Sequence, residues 1–336
     1  MAKVYFLDLT KGHKDNHLKM LEKLVAISDG LKIMEKKSLC ALKLHFGEDG
    51  NLNFLSPLYV QRVVEMVRKT GGHPVLTDTT TLYSGRRFRA DTHLELAKEH
   101  GFSFAPVIIA DGLFGDEFEE INGSKLGRAF KRIDTVIVLS HFKGHMLTGF
   151  GAALKNVGMG CAAKGGKLDI HSMSKPHVVP EKCNFCLKCY NYCAFQAIKK
   201  SNQKVEIDPA ICTGCCGCMS ICPEHAIKFS WSAGGTDVQR GIAKYTADFV
   251  KPRKVFYINF LINISPECDC FHTNEPMISP DLGILAGFDP VAIDQASYDF
   301  LKGKIDKVHP DIDPQEQLFF AEKFGAGERK YEIKSI

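Results

Sequence analysis

The sequence contains no run of eighteen uninterrupted apolar residues, about the shortest stretch that spans a bilayer as a helix. Its first ten residues, MAKVYFLDLT, include Asp8 and no apolar run that ends in a small-residue cleavage site. Neither sign of charge is in large excess, since 43 Lys and Arg stand against 39 Asp and Glu, and a nucleic-acid binder would carry a larger basic surplus. These absences predict a cytoplasmic protein that binds neither membrane nor nucleic acid.

Length and overall composition are typical of a soluble globular protein. The 336 residues are enough for two ordinary domains, or for one large α/β domain with an insertion. Hydrophobic residues make up 45% and charged residues 24%, which excludes wholesale disorder. In a reducing compartment, the 13 cysteines are better explained as metal ligands or buried thiols than as a disulfide framework.

Eight of these cysteines belong to an internal repeat. The segment CNFCLKCYNYCAFQAIK begins at Cys183, and CTGCCGCMSICPEHAIK begins 29 residues later at Cys212. Both copies have the spacing C-x2-C-x2-C-x3-C, which is the bacterial pattern for a [4Fe-4S] cluster. Paired zinc knuckles are an alternative, but zinc sites seldom use an interleaved repeat of eight cysteines. The repeat therefore predicts two iron-sulfur clusters.

Residues 180–229 resemble the two-cluster bacterial ferredoxin family on these two motifs. The resemblance implies that the fourth cysteine of each copy serves the cluster of the other copy. One cluster would be held by Cys183, Cys186, Cys189 and Cys222. The other would be held by Cys212, Cys215, Cys218 and Cys193.

The repeat also identifies the surplus cysteine of the second motif. Cys216 aligns with Leu187, which lies between ligand positions of the first motif. It is then a small apolar filler, or an alternative ligand or reactive thiol. Residues 180–229 contain six lysines and four acidic residues, whereas free ferredoxins of the resembled family are acidic. We therefore expect a docked electron relay with a redox partner protein, rather than a diffusing carrier.

The chain on either side of the repeat alternates between strand-like and helix-like segments. KVYFLDL, HPVLTDT and KVFYINFLINI read as strands, and LYVQRVVEMVRK and DPVAIDQASYDFL read as helices. Such alternation predicts an α/β fold with a mainly parallel sheet flanked by helices. We expect residues 1–176 and 232–336 to form one host domain, interrupted by a small α+β ferredoxin-like insertion at residues 177–231.

Polar residues that follow a predicted strand indicate a binding cleft, because ligands of open α/β sheets lie beyond the carboxyl ends of the strands. After VIVLS comes HFKGHMLTGFGAALKNVG, which lacks both the Walker and the dinucleotide-binding glycine patterns. A glycine-rich helix start beside lysines is able to hold an anion on backbone amides; the alternative is close helix packing with solvated lysines. The candidate substrate-binding or catalytic residues are His141, Lys143, His145, Lys155 and Asn156.

Two further cysteines follow the strand FYINFLINI. In an extended segment, Cys268 and Cys270 would point the same way, and His272 would continue that face. Thiolates with imidazole suit a third metal ion, or the thiols are catalytic; the alternative is that they are reduced structural cysteines. His45 and Asp78 also follow strands, where single polar residues more often serve as caps.

The host resembles a family of uncharacterised iron-sulfur-centre proteins, the domain of unknown function three-six-two. The matching segments are HFKGHMLTGFGAALKNVGMG, CDC and DLGILAGFDPVAIDQAS. The resemblance implies an architecture but no reaction, so it does not decide whether the protein is an enzyme. We expect an electron-transfer protein whose clusters deliver electrons to a cleft that binds a small anion. The alternatives are a non-enzymatic carrier or docking protein, and an enzyme in which the clusters are structural.

Overall fold

The computed structural model of the protein describes residues 1–11, 16–172, 175–271 and 275–336. Its helices are α1 (His17–Ile27), α2 (Pro57–Lys69), α3 (Ala90–Glu99), α4 (Ala153–Gly158), α5 (Lys164–His171), α6 (Lys188–Tyr192), α7 (Gly217–Ile221), α8 (Gly235–Val250), α9 (Pro290–Ile305) and α10 (Gln315–Lys323). Short 3-10 helices lie at Gly30–Ile33, Arg86–Phe88, Arg128–Arg132 and Pro180–Lys182.

The strands alternate with these helices along most of the chain. They are β1 (Ala2–Asp8), β2 (Leu39–Lys43), β3 (His73–Asp78), β4 (Val107–Ile109), β5 (Phe118–Ile121), β6 (Ser124–Gly127), β7 (Thr135–His141), β8 (Lys143–His145), β9 (Gly149–Gly151), β10 (His177–Val178), β11 (Ile198–Ser201), β12 (Lys204–Ile207), β13 (Ile227–Lys228), β14 (Lys254–Leu261), β15 (Gly283–Gly287) and β16 (Tyr331–Ser335).

Eight strands form one central sheet in the order β16-β1-β15-β14-β7-β2-β3-β4. Strand β15 runs antiparallel to both of its neighbours, and the other neighbouring pairs are parallel. The prediction of a mainly parallel sheet flanked by helices is confirmed. The antiparallel strand β15 was not predicted.

Alternation along the central strands supplies two buried layers. In β7, Val136 and Val138 join the core beneath α4, α8, α9 and α10, whereas Ile137 and Leu139 join the core beneath α1, α2 and α3. Successive side chains of a strand point to opposite faces, so a fully buried strand must be apolar on both. The sheet therefore has helices on both faces.

Between α5 and α8 lies a smaller unit that repeats itself in structure as well as in sequence. Strand β10 pairs with β13 and β11 pairs with β12, both antiparallel, while α6 packs beside α7. Helix α7 begins 29 residues after α6, and three pairs of positive φ angles have the same separation. These pairs are Phe185 with Gly214, Leu187 with Cys216, and Gln196 with His225. The sequence repeat thus corresponds to a repeated backbone conformation.

A third buried cluster joins this unit to the central domain. It combines Cys189, Cys216 and Met219 with Phe88 and Leu168 of the surrounding chain.

In the part of the chain that the structure describes, none of the helices has the length and apolar character of a membrane span. The predicted boundaries at residues 177 and 231 remain a prediction.

Candidate functional site

A cleft of about 960 Å³ opens at the carboxyl ends of β2, β3 and β7. Its basic lining residues are Lys43, Arg86, Arg87, Lys143, Lys155 and Lys167. Its acidic lining residues are Glu48, Asp49 and Asp78. Four histidines also line it, namely His45, His141, His145 and His171. Six basic and three acidic side chains therefore line the cleft.

Asp78 is the centre of a buried charge network on one wall of the cleft. Its carboxylate oxygens lie 3.0 Å from Nζ of Lys43 and 2.9 Å from a guanidinium nitrogen of Arg87. Burial raises the pKa of Asp78, but the charges of Lys43 and Arg87 outweigh burial and hold that pKa well below its ordinary value. Asp78 is therefore an ionised anchor for two cations rather than a proton donor.

Asn156 lines the cleft but uses its amide within the protein. Its Oδ1 accepts a hydrogen bond from Nζ of Lys43 at 2.7 Å, and its Nδ2 donates to the Leu139 carbonyl at 2.9 Å and to Ser140 Oγ at 3.1 Å. These bonds tie α4 to the end of β7. Asn156 is thus better placed to position Lys43 than to contact a ligand.

The predicted residues His141 and Lys143 converge on Asp269, which sequence reasoning missed. The Asp269 carboxylate lies 2.9 Å from Nδ1 of His141 and 2.8 Å from Nζ of Lys143. The second ring nitrogen of His141 lies 3.0 Å from the carbonyl oxygens of Ile262 and Asn263. Burial raises the pKa of Asp269, but its two partners outweigh burial and lower it. His141 therefore orients Asp269 and the loop that carries it.

His145 and His171 present imidazole groups to the cleft. Burial, together with the charge of Lys155, holds the pKa of His145 well below its ordinary value and lowers that of His171 to about 4. Nδ1 of His145 accepts a hydrogen bond from the Leu147 amide at 3.2 Å, so the neutral ring carries its proton on Nε2. The His171 ring packs edge-on against Trp231 at 4.9 Å between ring centroids. Both rings are neutral groups within reach of a ligand.

The glycine-rich segment differs from the predicted helix start. Gly149–Gly151 forms β9, which pairs with β8, and α4 begins only at Ala153. The amides of Ala153 and Leu154 donate to the carboxylate of Asp294 at 2.9 and 2.8 Å. The expectation of an anion on these amides is wrong, because Asp294 already occupies that position. Lys155, by contrast, does face the cleft.

Cys268 and Cys270 come together in a turn rather than in the predicted extended segment. The turn is closed by a hydrogen bond of 2.9 Å from the Phe271 amide to the Cys268 carbonyl. The two sulfur atoms are 3.1 Å apart, Nζ of Lys155 is 3.1 Å from Cys268 Sγ, and Nε2 of His45 is 3.3 Å from Cys270 Sγ. A thiol pair in contact with two nitrogen groups thus lies at the cleft, and Cys270 is the member of the pair that lines it.

The two thiols have opposite acidities. The hydrogen bond between them, followed by burial, raises the pKa of Cys268, while the bond from Cys268 and the charge of Lys155 lower that of Cys270. The predicted third ligand, His272, lies outside the described residues. Within residues 1–11, 16–172, 175–271 and 275–336, no group of three or more His, Cys, Asp or Glu is arranged to hold a metal ion.

The repeat cysteines lie in two groups within the smaller unit. Burial, together with the neighbouring thiols of Cys222, Cys186 and Cys183, raises the pKa of Cys189 to about 11. A second cavity, of about 410 Å³, is lined by Cys193, Cys212, Cys215, Cys218 and the surplus Cys216. Each group thus combines three cysteines of one motif with the last cysteine of the other motif, and the second group also includes the surplus Cys216.

Several cysteine sulfurs already accept backbone hydrogen bonds. The Gly214 amide donates to Cys212 Sγ at 3.4 Å, and the Ala226 amide donates to Cys222 Sγ at 3.3 Å. Cys216 is buried at the start of α7, and its thiol donates to the Gly214 carbonyl at 3.4 Å. Its internal bond fits a packing role better than a ligand role.

The segment around Arg86–Phe88 lies between the cleft and the smaller unit. Arg86 and Arg87 line the cleft, whereas Phe88 packs in the cluster that contains Cys189 and Cys216. Nζ of Lys164 donates to the Phe88 carbonyl at 2.8 Å and to Ser220 Oγ of α7. The cleft and the cysteine unit are therefore joined through one short segment.

Sequence reasoning missed Arg87, Lys167, Asp269 and Trp231 as lining or supporting residues of the cleft. Arg87 lies in the short 3-10 helix Arg86–Phe88, away from any predicted strand end, and Trp231 lies at the last position of the predicted insertion. The one available signal was that Trp231 is the single tryptophan of the chain. His45 and Asp78, which sequence reasoning interpreted as caps, are central to the site.

Comparison with known proteins identifies a family rather than a reaction. No curated protein matches the chain. A crystal structure of a protein from Thermotoga maritima is similar at 10% sequence identity and a TM-score of 0.35, over 91% of this chain and 58% of that chain. The chain thus spans less than two thirds of that protein. The family described as "Domain of unknown function (DUF362)" matches residues 40–299, and the chain belongs to this family.

Proposed function

We propose that the protein transfers electrons through two [4Fe-4S] clusters, held in the unit between β10 and β13, to the cationic cleft of the α/β domain. The observation that carries the proposal is that the eight repeat cysteines fall into two neighbourhoods of four, the second of which also holds the surplus Cys216. Each set contains three cysteines of one motif and the last cysteine of the other motif, as the ferredoxin resemblance implies. Paired zinc knuckles do not require that each motif lend its last cysteine to the site of the other motif.

The chain supplies what a cubane cluster needs from a protein. The four ligand cysteines of the second set line one cavity. Backbone amides donate to the sulfurs of Cys212 and Cys222. When bound, such clusters accept and release single electrons at potentials set by these hydrogen bonds and by burial. Within the first set, Cys189 and Cys222 are buried whereas Cys186 is exposed, and such differences in exposure influence the potential of a bound cluster.

The contact between the unit and the cleft supports delivery of electrons to a substrate. Phe88 packs against the cysteine core, and the adjacent Arg87 lies 2.6 Å from His45 Nε2 in the cleft. A separate carrier that merely docks would not require a chain of buried contacts that ends at charged residues. A cleft of about 960 Å³ is large enough for a small metabolite. Its basic excess favours an anion as the substrate.

Iron and sulfide analysis of anaerobically purified protein tests the proposal directly. We expect about eight iron and eight sulfide per chain, and a charge-transfer absorbance that falls on addition of dithionite. Electron paramagnetic resonance of the reduced protein should show two interacting clusters. Zinc in place of iron, or iron without sulfide, would refute the proposal.

The carrier alternative makes a different prediction about the cleft. If the protein is only a carrier, neutralising a cleft residue such as Arg86 leaves electron exchange with every acceptor unchanged. If the cleft binds the substrate, the same change weakens turnover of a small anionic acceptor but leaves cluster reduction by dithionite intact. A comparison of Arg86→Met with Arg62→Met separates the carrier hypothesis from the substrate-binding hypothesis, because Arg62 lies outside the cleft.

A further inference from the structure

We propose that Cys268 and Cys270 form a redox-active dithiol that reduces small disulfides carrying anionic groups. The evidence for the pair is geometric and does not involve the repeat cysteines. Re-reduction of the pair by the clusters, by contrast, rests on the proposed function. Cys270 lines the cleft and Cys268 lies behind it. The geometry therefore assigns Cys270 as the attacking sulfur and Cys268 as the resolving sulfur.

The turn brings the two sulfurs close enough to form a bond with little movement. They are 3.1 Å apart, and a disulfide requires about 2 Å, so rotation of the side chains about χ1 can close most of the gap. The turn is held on both sides, because the Asp269 carbonyl accepts a hydrogen bond from the Glu48 amide at 3.0 Å and its carboxylate binds His141 and Lys143. A freely moving loop would not keep the thiols in contact.

The surroundings activate one thiol of the pair. Cys270 Sγ accepts a hydrogen bond from the Cys268 thiol, and Lys155 places its charge next to both sulfurs. Nε2 of His45 lies 3.3 Å from Cys270 Sγ and accepts a hydrogen bond from Arg87, so it can receive the Cys270 proton but does not donate to the sulfur. By contrast, burial raises the pKa of the Cys40 thiol to about 12 in the core of the sheet. The thiolate is the nucleophilic form, so Cys270 should react far faster than Cys40 at neutral pH.

Lys155 also argues for thiol chemistry over a metal site. Its ammonium is 3.1 Å from Cys268 Sγ, and a second cation bound to the same sulfur would be repelled by it. The same charge, together with Arg86 and Arg87 in the cleft, favours a disulfide substrate that carries carboxylates or phosphates.

The reaction balances within the pair and the substrate. The Cys270 thiolate attacks one sulfur of the substrate disulfide, breaking its S–S bond and releasing one thiolate. Cys268 transfers its proton to that thiolate, and its sulfur attacks Cys270 Sγ. The mixed disulfide breaks, the second substrate thiolate leaves, and a Cys268–Cys270 disulfide remains. Two electrons have moved to the substrate, and two one-electron donations with one proton restore the starting dithiol.

Thiol trapping of the anaerobic protein tests the dithiol without reference to turnover. Glutathione disulfide, which is anionic, and cystamine, which is cationic, serve as matched probes. We expect glutathione disulfide to produce a peptide about 2 Da lighter that links Cys268 to Cys270, at a rate at least about tenfold that of cystamine. Failure to form this link with either probe would overturn the dithiol. Equal rates with the two probes would overturn the anionic substrate class.

Single variants separate the two sulfurs. Cys268→Ser should stop at a stable glutathione adduct on Cys270, and Cys270→Ser should form neither adduct nor link. Cys40→Ala is the control and should react like the wild type. An adduct on Cys268 in the Cys270→Ser variant, formed at the wild-type rate, would reverse the assignment.

Reduction of the preformed link distinguishes this inference from the proposed function. Reduced methyl viologen should reopen the disulfide in cluster-loaded protein, whereas a phosphine should reopen it with or without clusters. If only the phosphine reduces the Cys268–Cys270 disulfide, the dithiol is supported and electron transfer from the clusters to the pair is refuted. If the clusters are reduced but the Cys268–Cys270 disulfide never forms, the electron relay is supported and the dithiol is refuted.

Discussion

Lys43 and Asp78 form an ion pair of 3.0 Å between the ends of neighbouring parallel strands, with both side chains at most 2% exposed. The pair lies where β2 and β3 reach the cleft, and Arg87 shares the same carboxylate. Two cations thus share one buried anion, and Arg87 also lies 3.7 Å from the carboxylate of Glu48. The wall of the cleft is therefore held together by charge as well as by packing.

Replacing Asp78 with Asn should destabilise the protein strongly. Loss of the carboxylate leaves Lys43 buried without its anion and Arg87 with only the more distant Glu48, which costs about 3 to 5 kcal/mol. Urea unfolding at pH 7 measures the loss. Asp208→Asn is the control, because its partner Lys199 is 62% exposed and such a pair contributes about 1 kcal/mol or less. Equal losses for the two variants would contradict a special role for Asp78.

Stability should rise with pH through the titration of Lys164. Burial lowers the pKa of Lys164 to about 7, against an ordinary value near 10.5. Between these values the unfolded chain binds a proton that the folded chain does not, so the free energy of unfolding increases with pH. Relative to Lys164→Met, the wild type should gain roughly 1 to 3 kcal/mol between pH 7 and pH 10.

Unfolding of both proteins at several pH values tests this coupling. The exposed Lys23 offers a control, since Lys23→Met should follow the wild-type pH profile. A parallel profile for Lys164→Met and the wild type would show that Lys164 stays charged, held by its contact with the Phe88 ring at 3.6 Å.

Single cysteine variants should remove one cluster at a time. Cys189→Ala should lose about half of the iron and keep the rest, because Cys189 groups with Cys183, Cys186 and Cys222. Cys216→Ala should keep the full iron content, since its thiol bonds to the Gly214 carbonyl. Iron, sulfide and magnetic resonance of each variant check the assignment. Loss of iron in Cys216→Ala would make it a ligand.

Fluorescence of Trp231 should report anion binding in the cleft. Trp231 is the single tryptophan, lines the cleft and touches His171. Titration with pyrophosphate, a small multivalent anion, should change its emission with saturation. Arg86→Met should weaken binding about tenfold, equivalent to about 1.4 kcal/mol. Arg62→Met, a change outside the cleft, should leave the dissociation constant unchanged, and an equal weakening there would indicate nonspecific binding.

Gly144 should tolerate no side chain. A Cβ at this position would lie 2.0 Å from the Pro266 carbonyl oxygen, so Gly144→Ala must displace the loop that leads to Cys268. We expect a loss of about 1 to 3 kcal/mol and slower alkylation of Cys270. Gly303→Ala in α9 is the control, because nothing lies within 4 Å, and it should stabilise the helix by up to about 1 kcal/mol. If Cys270 is alkylated at the wild-type rate in Gly144→Ala, the segment that carries Gly144 does not control the position of the thiol pair.

Much of the fold was predictable because local patterns encode local conformation. The apolar patterns identified β1, β3, β14, α2 and α9, and Asp289, the first residue of the predicted helix DPVAIDQASYDFL, caps α9. The short strand GILAG could not be recognised, since its five residues carry no alternation and two are glycine. Its antiparallel place between β1 and β14 depends on partners distant in the chain.

The sequence by itself determined the repeat, the spacing of its eight cysteines and the strand ends at which His141, Lys143 and His145 lie. Only the tertiary structure decided which side chains meet. Lys155 contacts Cys268 across 113 positions, and Asp269 joins His141 across 128. Spacing along the chain specifies neighbours within a turn or a helix, whereas contacts of this range follow from strand order, which requires the assembled sheet.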